Sequence, residues 1–281
     1  RGLWMLLLET ALVGLAVLAL RLSGWRPGRL LLLFVFLFFL LNPLAMNLLR
    51  EANPVVFAAL GVAGFLAALR AEQDEAAGAL LILPFCQPDA ASLFLLFAFW
   101  WIILKRRWKV LGGALMILVV LAALAFFLWP GWFMPFLRGL YSHVTYNPGL
   151  SPGRIMAEWW PAIGGRLGWL VTAVLAVVLF LEWRAVHNGS PRHFLWTACL
   201  TLAVTPLIGI PVTPGFYAFL FLPLVVVLAL LYERWAKPMG WGLSGTLLVL
   251  LFAGLWLWSW LAGVSGAEEA RSGSIVTLKY D

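Results

Sequence analysis

Long apolar blocks separated by short polar turns are the dominant pattern of this chain. Eight blocks of about 16 to 20 residues are long enough to cross a hydrocarbon core of about 30 Å, because an α-helix rises 1.5 Å per residue. Inside lipid every backbone N–H and C=O needs a partner within the protein, which a helix provides. The predicted spans cover residues 3–20, 30–49, 54–69, 110–129, 167–183, 194–210, 215–232 and 243–262.

A ninth apolar region, residues 76–104, has a polar interruption. Residues 76–86 are too few to span the membrane, Gln87, Pro88 and Asp89 follow, and residues 90–104 are again apolar. Proline removes a backbone donor and disfavours helix in the residue before it, so the pattern predicts two half-length helices that meet at a break. Such a break persists at membrane depth only where protein or a wet cavity covers it.

Composition agrees with this pattern. Hydrophobic residues make up 64% of the chain and charged residues 11%, against about a quarter in a soluble domain. No alternating pattern of a transmembrane barrel is present. The predicted fold is therefore an all-α, polytopic transmembrane helical bundle of about eight spans plus one broken re-entrant helix pair. Residues 1–262 form the transmembrane domain, with an external loop at 130–166, and residues 263–281 form a polar external tail.

The basic residues predict the orientation. If residues 76–104 enter and leave on one side, 12 of the 19 Lys and Arg lie on that side and 7 on the other. The richer side is then cytoplasmic, and the chain is expected to be a multi-pass protein of the plasma membrane. Because the positive charges lie in short loops between spans, nucleic acid is not an expected partner. Cys86 and Cys199 lie in apolar segments and carry no disulfide or zinc signature.

The external loop holds three arginines that run against the positive-inside bias: Arg138, Arg154 and Arg166. A guanidinium presents a planar set of donors suited to phosphate, so these side chains are candidates for holding a lipid phosphate. The alternative is unspecific contact with lipid headgroups. Residues 132–141 predict an amphipathic helix in the interface, and residues 146–154 are rich in turn-forming residues.

Other polar residues at membrane depth or in this loop are candidates as well. Glu9, inside the first span, is expected to face the bundle interior. Asp89 is expected to cap the helix that follows Pro88 and to line a site there. Glu158, beside two tryptophans, suits either a sugar or an ion pair with Arg154. His143, Tyr146 and Asn147 add polar groups to the same loop. The chain has no phosphate-binding loop, zinc-protease, serine-hydrolase or clustered metal-ligand motif.

The order of elements resembles the GT-C superfamily of membrane glycosyltransferases, and glycosyltransferase family 87 most closely. That family carries a G-Q-x-N element, which corresponds here to Arg50, Glu51, Ala52 and Asn53. It also carries an A-G…K-P…[RK]-R-x-W element, which corresponds to Ala77, Gly78, Gln87, Pro88, Lys105, Arg106, Arg107 and Trp108. The external loop and the span containing Tyr217 follow in the same order, so the resemblance covers most of residues 1–262.

The resemblance implies a GT-C-like bundle that transfers a hexose or pentose from a polyprenyl-phosphate sugar to a lipid or glycan acceptor on the extracytoplasmic face. The residues expected to hold the donor phosphate are then Gln87, Asp89, Arg138, Arg154 and Arg166. The residues expected to line the substrate site are Asn53, Tyr146, Glu158 and Tyr217. No cofactor is assigned, and a divalent metal remains an option. Oligomeric state is left open.

Two departures from the family pattern bear on activity. Gln87 replaces a lysine and brings no charge, and Arg50 and Glu51 replace Gly and Gln. The superfamily places its catalytic acid in a first external loop, and this chain is expected to begin beyond that loop, so no catalytic base is assigned. Two alternatives stay open: a transporter or lipid-linked sugar flippase, and a catalytically inactive relative.

Overall fold

The computed structural model describes residues 2–146, 152–187, 189–208, 214–235 and 237–277. Within these ranges the chain is helical and contains no strand. Two short 3-10 helices cover Thr205–Ile208 and Pro214–Phe216. The α-helices are α1 (Gly2–Ser23), α2 (Arg29–Leu41), α3 (Pro43–Arg50), α4 (Val55–Arg70), α5 (Asp74–Phe85), α6 (Pro88–Leu104), α7 (Trp108–Leu128), α8 (Phe133–Tyr146), α9 (Pro152–Trp159), α10 (Gly164–Val186), α11 (Pro191–Val204), α12 (Tyr217–Arg234) and α13 (Lys237–Thr277).

The all-helical, multi-pass organisation is confirmed. In the described residues, α1, α7, α10, α12 and residues 242–261 of α13 are long and apolar enough to cross a membrane, and α2 with α3 makes a sixth candidate if the bent pair counts as one span. The predicted spans 54–69 and 194–210 correspond to α4 and α11, which are only 16 and 14 residues long. Five to six candidate spans are therefore present where the sequence predicts eight.

Polar contacts join the helix ends at one end of the bundle. Arg70 Nη1 donates to the carbonyl oxygen of Leu22 at 2.8 Å, which ties the end of α4 to the end of α1. Lys105 Nζ donates to the carbonyl oxygen of His187, which ties the residue after α6 to the residue after α10. Glu182 of α10 contacts His193 of α11. We call this the basic end; it is defined by Arg21, Arg70, Lys105, Arg107, Arg192 and Arg234.

The predicted break at Pro88 is present. Helix α5 ends at Phe85 and α6 begins at Pro88. Arg107 Nη1 lies 3.1 Å from Asp74 Oδ1, so the start of α5 and the residue before α7 are neighbours at the basic end. The pair α5–α6 therefore enters and leaves at the same end. The N-cap residue of α6 is Gln87 and Asp89 lies in the first turn. The capping role expected for the Asp89 side chain stays a prediction.

A second break interrupts the region in which the sequence predicts one continuous span. Helices α2 and α3 meet at Asn42 with a bend of 44°. The Asn42 side chain is fully buried; its Nδ2 donates to the carbonyl oxygen of Phe38, and its Oδ1 accepts from the backbone N–H of Ala45 at 2.9 Å. Pro43 at the first position of α3 has no N–H to lose. An Asn-Pro pair thus ends one helix and starts the next.

In the described part of the segment predicted to be the external loop, the chain forms helices α8 and α9. Helix α8 confirms a helix over the predicted residues 132–141 and extends it to Tyr146. Helix α9 was not predicted, because the turn-forming residues before it dominate the pattern. It packs so closely on α10 that a Cβ on Gly164 would overlap the backbone of Met156, and a Cβ on Gly168 would overlap Gly153. The last helix, α13, passes through the predicted domain boundary at residue 262.

Candidate functional site

Three helices that start at the basic end stop at a similar depth. Helices α2, α5 and α11 contain 13, 12 and 14 residues, so each rises about 18–21 Å before it ends. Helices α1, α7 and α10 contain 22, 21 and 23 residues and rise about 32–35 Å. The three short helices are therefore about 11–17 Å shorter than the three long ones.

A polar residue follows the last residues of each short helix: Asn42, Gln87 and Thr205. We call these three residues the break level. Asn42 and Thr205 are fully buried, and both satisfy their polar groups on their own helix, with Thr205 Oγ1 donating to the carbonyl oxygen of Thr201 at 2.9 Å. Gln87 is half-buried, and its side chain makes no capping hydrogen bond to α6. Of the three residues, Gln87 is the one whose side chain is partly exposed.

Two of the predicted lining positions come together. Asn53 Oδ1 accepts from the backbone N–H of Val55 at 3.0 Å, which starts α4. A Cβ built on Gly215 would lie 3.1 Å from Asn53 Nδ2, so the turn before α12 packs directly on Asn53. Tyr217, two residues further, is exposed at the first position of α12. Asn53 and Tyr217 therefore lie at the same end of the bundle, away from the basic end.

The predicted arginines lie on three helices, α8, α9 and α10. Arg138 is exposed on α8 and Arg166 is exposed in the first turns of α10. Arg154 and the exposed Glu158 both belong to α9, which packs on the start of α10. The side chains of Asp89, His143, Tyr146 and Arg154, and all of Asn147, lie outside the described residues, so the ion pair expected between Arg154 and Glu158 stays a prediction.

The shared phosphate site expected for Gln87, Arg138 and Arg166 stays a prediction. Glu9 is exposed on α1, so its expected orientation toward the bundle interior is wrong. In the described part of the chain, no group of three or more His, Cys, Asp or Glu is placed to hold a metal ion.

A cleft at the basic end was missed by the sequence analysis. It encloses about 420 Å³ between the end of α1 and helices α10, α11 and α12. Glu182 Oε2 lies 3.0 Å from His193 Nε2, and Arg192 forms an ion pair with Glu233 beside the mouth. The signal available in the sequence was a carboxylate near the end of one apolar block and an Arg-His pair at the start of the next. The cleft is lined by Ser23, Glu182, Ser190, Arg192, His193, Leu195, Trp196, Val226, Ala229 and Leu230.

Comparison with protein-family models, with curated proteins and with solved structures finds no match to this chain.

Proposed function

We propose that this chain is an integral membrane glycosyltransferase of the plasma membrane. It transfers a hexose or pentose from a polyprenyl-phosphate sugar to a lipid or glycan acceptor on the extracytoplasmic face. The observation that supports this most directly is the break between α5 and α6 at Gln87 and Pro88. It leaves an amide without a capping partner about 18 Å from the basic end, at the position where the resembled family has its phosphate-side lysine.

The chemistry assigns separate roles to the break level and the external helices. Departure of a polyprenyl phosphate leaves negative charge on oxygen, which donors placed at that oxygen stabilise. Gln87 supplies an amide N–H, and Arg138 and Arg166, both exposed toward the outer end, supply guanidinium groups. Asn53 and Tyr217, which the turn at Gly215 holds at the same end, are placed for the acceptor or the sugar. The base that deprotonates the acceptor hydroxyl is not assigned to this chain.

Transfer of labelled sugar from a polyprenyl-phosphate donor, measured in membranes that contain the full chain, tests this proposal. We expect Arg154→Ala to abolish transfer and Gln87→Leu to reduce it about tenfold or more, because each removes a donor to the leaving phosphate. Gln87→Lys is expected to retain or raise activity. Arg29→Ala, which removes an exposed arginine at the basic end, is the matched control and is expected to leave transfer unchanged.

Absence of donor-dependent transfer by the native chain contradicts the enzyme proposal. Unchanged transfer after removal of Arg138, Arg154 and Arg166 together contradicts the phosphate assignment but leaves the enzyme class standing. Accessibility of single cysteines at positions 87 and 154 is a further check, since the proposal requires both to react with a reagent added from the same face. Labelling from opposite faces would overturn the shared site.

A transporter or lipid-linked sugar flippase is a second candidate, and two observations favour it. The bend at Asn42 is a second interruption in an apolar helix, and discontinuous helices are typical of secondary transporters. One face of α11 also carries His193, Thr197, Thr201 and Thr205 at four-residue intervals, and the three threonines are fully buried. Movement of a labelled lipid-linked sugar between leaflets of proteoliposomes, without sugar transfer, would support this candidate over the first.

A further inference from the structure

The cleft at the basic end has an amphipathic lining. Its polar side is formed by Glu182, Ser190, Arg192 and His193, and Glu233 pairs with Arg192 beside it. Its apolar side is formed by α11 and α12: Leu195, Trp196, Val226, Ala229 and Leu230. The polar side lies at the start of α11, and the apolar side continues along the helices toward the membrane interior. A ligand that fills this space has a polar head and an apolar body.

The polar side chains retain unused hydrogen-bonding capacity although they are paired with each other. Glu182 uses Oε2 for His193, which leaves Oε1 as an acceptor. Arg192 uses Nη2 for Glu233, and a guanidinium has five N–H donors in total. The hydroxyl of Ser190 accepts from the backbone N–H of His193, which leaves its own proton available to a ligand. An acceptor site for a cation and a donor site for an anion thus lie side by side.

The balance of charge decides which headgroup fits. The cleft and its rim contribute two carboxylates, one guanidinium and one imidazole, so a purely anionic headgroup would find one guanidinium but would also meet two carboxylates. A zwitterionic headgroup has no such conflict. Its phosphate suits Arg192 and Ser190, because guanidinium and hydroxyl groups donate well to phosphate oxygens. Its cationic group suits Glu182, and a primary ammonium satisfies a carboxylate with N–H donors that a quaternary ammonium lacks.

We propose that this cleft binds the headgroup of an ethanolamine phospholipid, with the phosphate at Arg192 and Ser190 and the ammonium at Glu182. One acyl chain lies along the wall formed by Trp196, Val226 and Leu230. Basic pockets between transmembrane helices are known to bind lipid headgroups through their phosphates, which is the role assigned to Arg192. The site lies at the basic end and contains none of the residues of the break level, and so it is independent of the glycosyltransferase proposal.

Native mass spectrometry of the detergent-purified full chain tests this site. The probes are dioleoyl phosphatidylethanolamine, dioleoyl phosphatidylglycerol and dioleoyl phosphatidylcholine, each titrated separately, and glycerophosphoethanolamine, which has the same headgroup without acyl chains. We expect one saturable ethanolamine lipid per chain, bound about tenfold or more tightly than the other two lipids, since one charge-assisted hydrogen bond distinguishes them. Glycerophosphoethanolamine is expected to bind much more weakly.

Variants separate the headgroup site from the acyl wall. Glu182→Gln keeps the contact with His193 but removes the charge, and is expected to weaken binding of the ethanolamine lipid about tenfold. Glu75→Gln, an exposed carboxylate on α5 at the same end, is its matched control. Arg192→Gln is expected to weaken binding in the same way, and Arg184→Gln is its matched control. Leu230→Trp fills the apolar side without changing charge and is expected to remove the bound lipid.

Three results would overturn the proposal. Equal or tighter binding of phosphatidylglycerol or phosphatidylcholine to the native chain rules out the assigned headgroup. Binding that neither Glu182→Gln nor Leu230→Trp reduces places the lipid elsewhere. Glycerophosphoethanolamine that binds as tightly as the lipid shows a soluble ligand instead. If Glu182→Gln does not fold, the lipid selectivity of the native chain and the Leu230→Trp variant still decide.

Discussion

Trp256 Nε1 donates a hydrogen bond of 3.2 Å to the carbonyl oxygen of Leu41, across 215 residues of sequence. The acceptor lies at the break between α2 and α3, where Asn42 takes up the N–H of Ala45 and the helical ladder is interrupted. An open carbonyl at membrane depth is costly, since no water is present to satisfy it. The indole of α13 therefore completes the hydrogen bonding of a broken helix.

Replacing Trp256 with Phe tests this contact. We expect the free energy of unfolding in mixed micelles to fall by about 1 kcal/mol, because the variant keeps the ring but leaves the Leu41 carbonyl without a donor. Trp258→Phe, an exposed tryptophan on the same helix, is the control and is expected to change stability little. Equal effects of the two substitutions would contradict a specific role for Trp256.

The buried side chain of Asn42 leads to a second prediction. Asn42→Ala removes the acceptor for the Ala45 N–H and the side-chain donor to the Phe38 carbonyl. The Phe38 carbonyl keeps the backbone N–H of residue 42, whereas the Ala45 N–H loses its side-chain acceptor at a fully buried site. We expect a loss of about 1–2 kcal/mol in the free energy of unfolding. Asn47→Ala, in the exposed part of α3, is the comparison and should be close to neutral. A neutral Asn42→Ala would show that α2 and α3 do not need this cap.

Two adjacent glycines in α7 give a matched pair. A Cβ on Gly113 would overlap the backbone of Glu75 in α5, whereas a Cβ on Gly112 meets nothing within 4 Å. We expect Gly113→Ala to lower the free energy of unfolding by about 2–3 kcal/mol by forcing α5 and α7 apart. Gly112→Ala is expected to be neutral or to stabilise by up to about 1 kcal/mol, since alanine favours helix over glycine. Thermal unfolding in detergent measures both, and a reversed order would contradict the helix packing.

The ion pair between Asp74 and Arg107 leads to a prediction about topology. Because it joins the start of α5 to the residue before α7, single cysteines at Gln73 and Lys109 should be labelled by a membrane-impermeant thiol reagent from the same face. A cysteine at Asn47 on α3 is expected to react only from the opposite face. The background is a variant without Cys86 and Cys199. Labelling of positions 73 and 109 from different faces would show that α5 and α6 cross the membrane.

Features that depend on local sequence were predicted well. The apolar blocks appear as helices at nearly the predicted positions, and the break at Pro88 is where the proline pattern put it. The hydrogen-bonded contacts of the basic end involve the arginines and lysines that the charge count placed on one side. These properties follow from the length of each block and from the backbone chemistry of single residues.

Features that depend on contacts between distant segments were not predicted. The pattern predicts one continuous span across Asn42 because the residues around it are apolar, although an Asn-Pro pair interrupts them. It predicts turns before and around α9, and the position of that helix depends on the close approach that Gly164 permits. Of the predicted site, the structure brings Asn53 to the turn before Tyr217 and leaves Arg138 and Arg166 exposed on separate helices.

By itself the sequence determined that this chain is a helical, multi-pass membrane protein. The hydrophobicity of a segment depends only on residues that are adjacent in sequence, and in lipid the backbone must form its hydrogen bonds within the protein. The sequence also determined the break at Pro88, because a proline lacks the N–H that a helix needs there. Only the tertiary structure decided that α13 donates to the Leu41 carbonyl and that Glu182 meets His193 in a cleft. Each of these contacts joins two residues from different helices. The residues adjacent in sequence to either one do not indicate its partner, because the packing of the helices brings the two together.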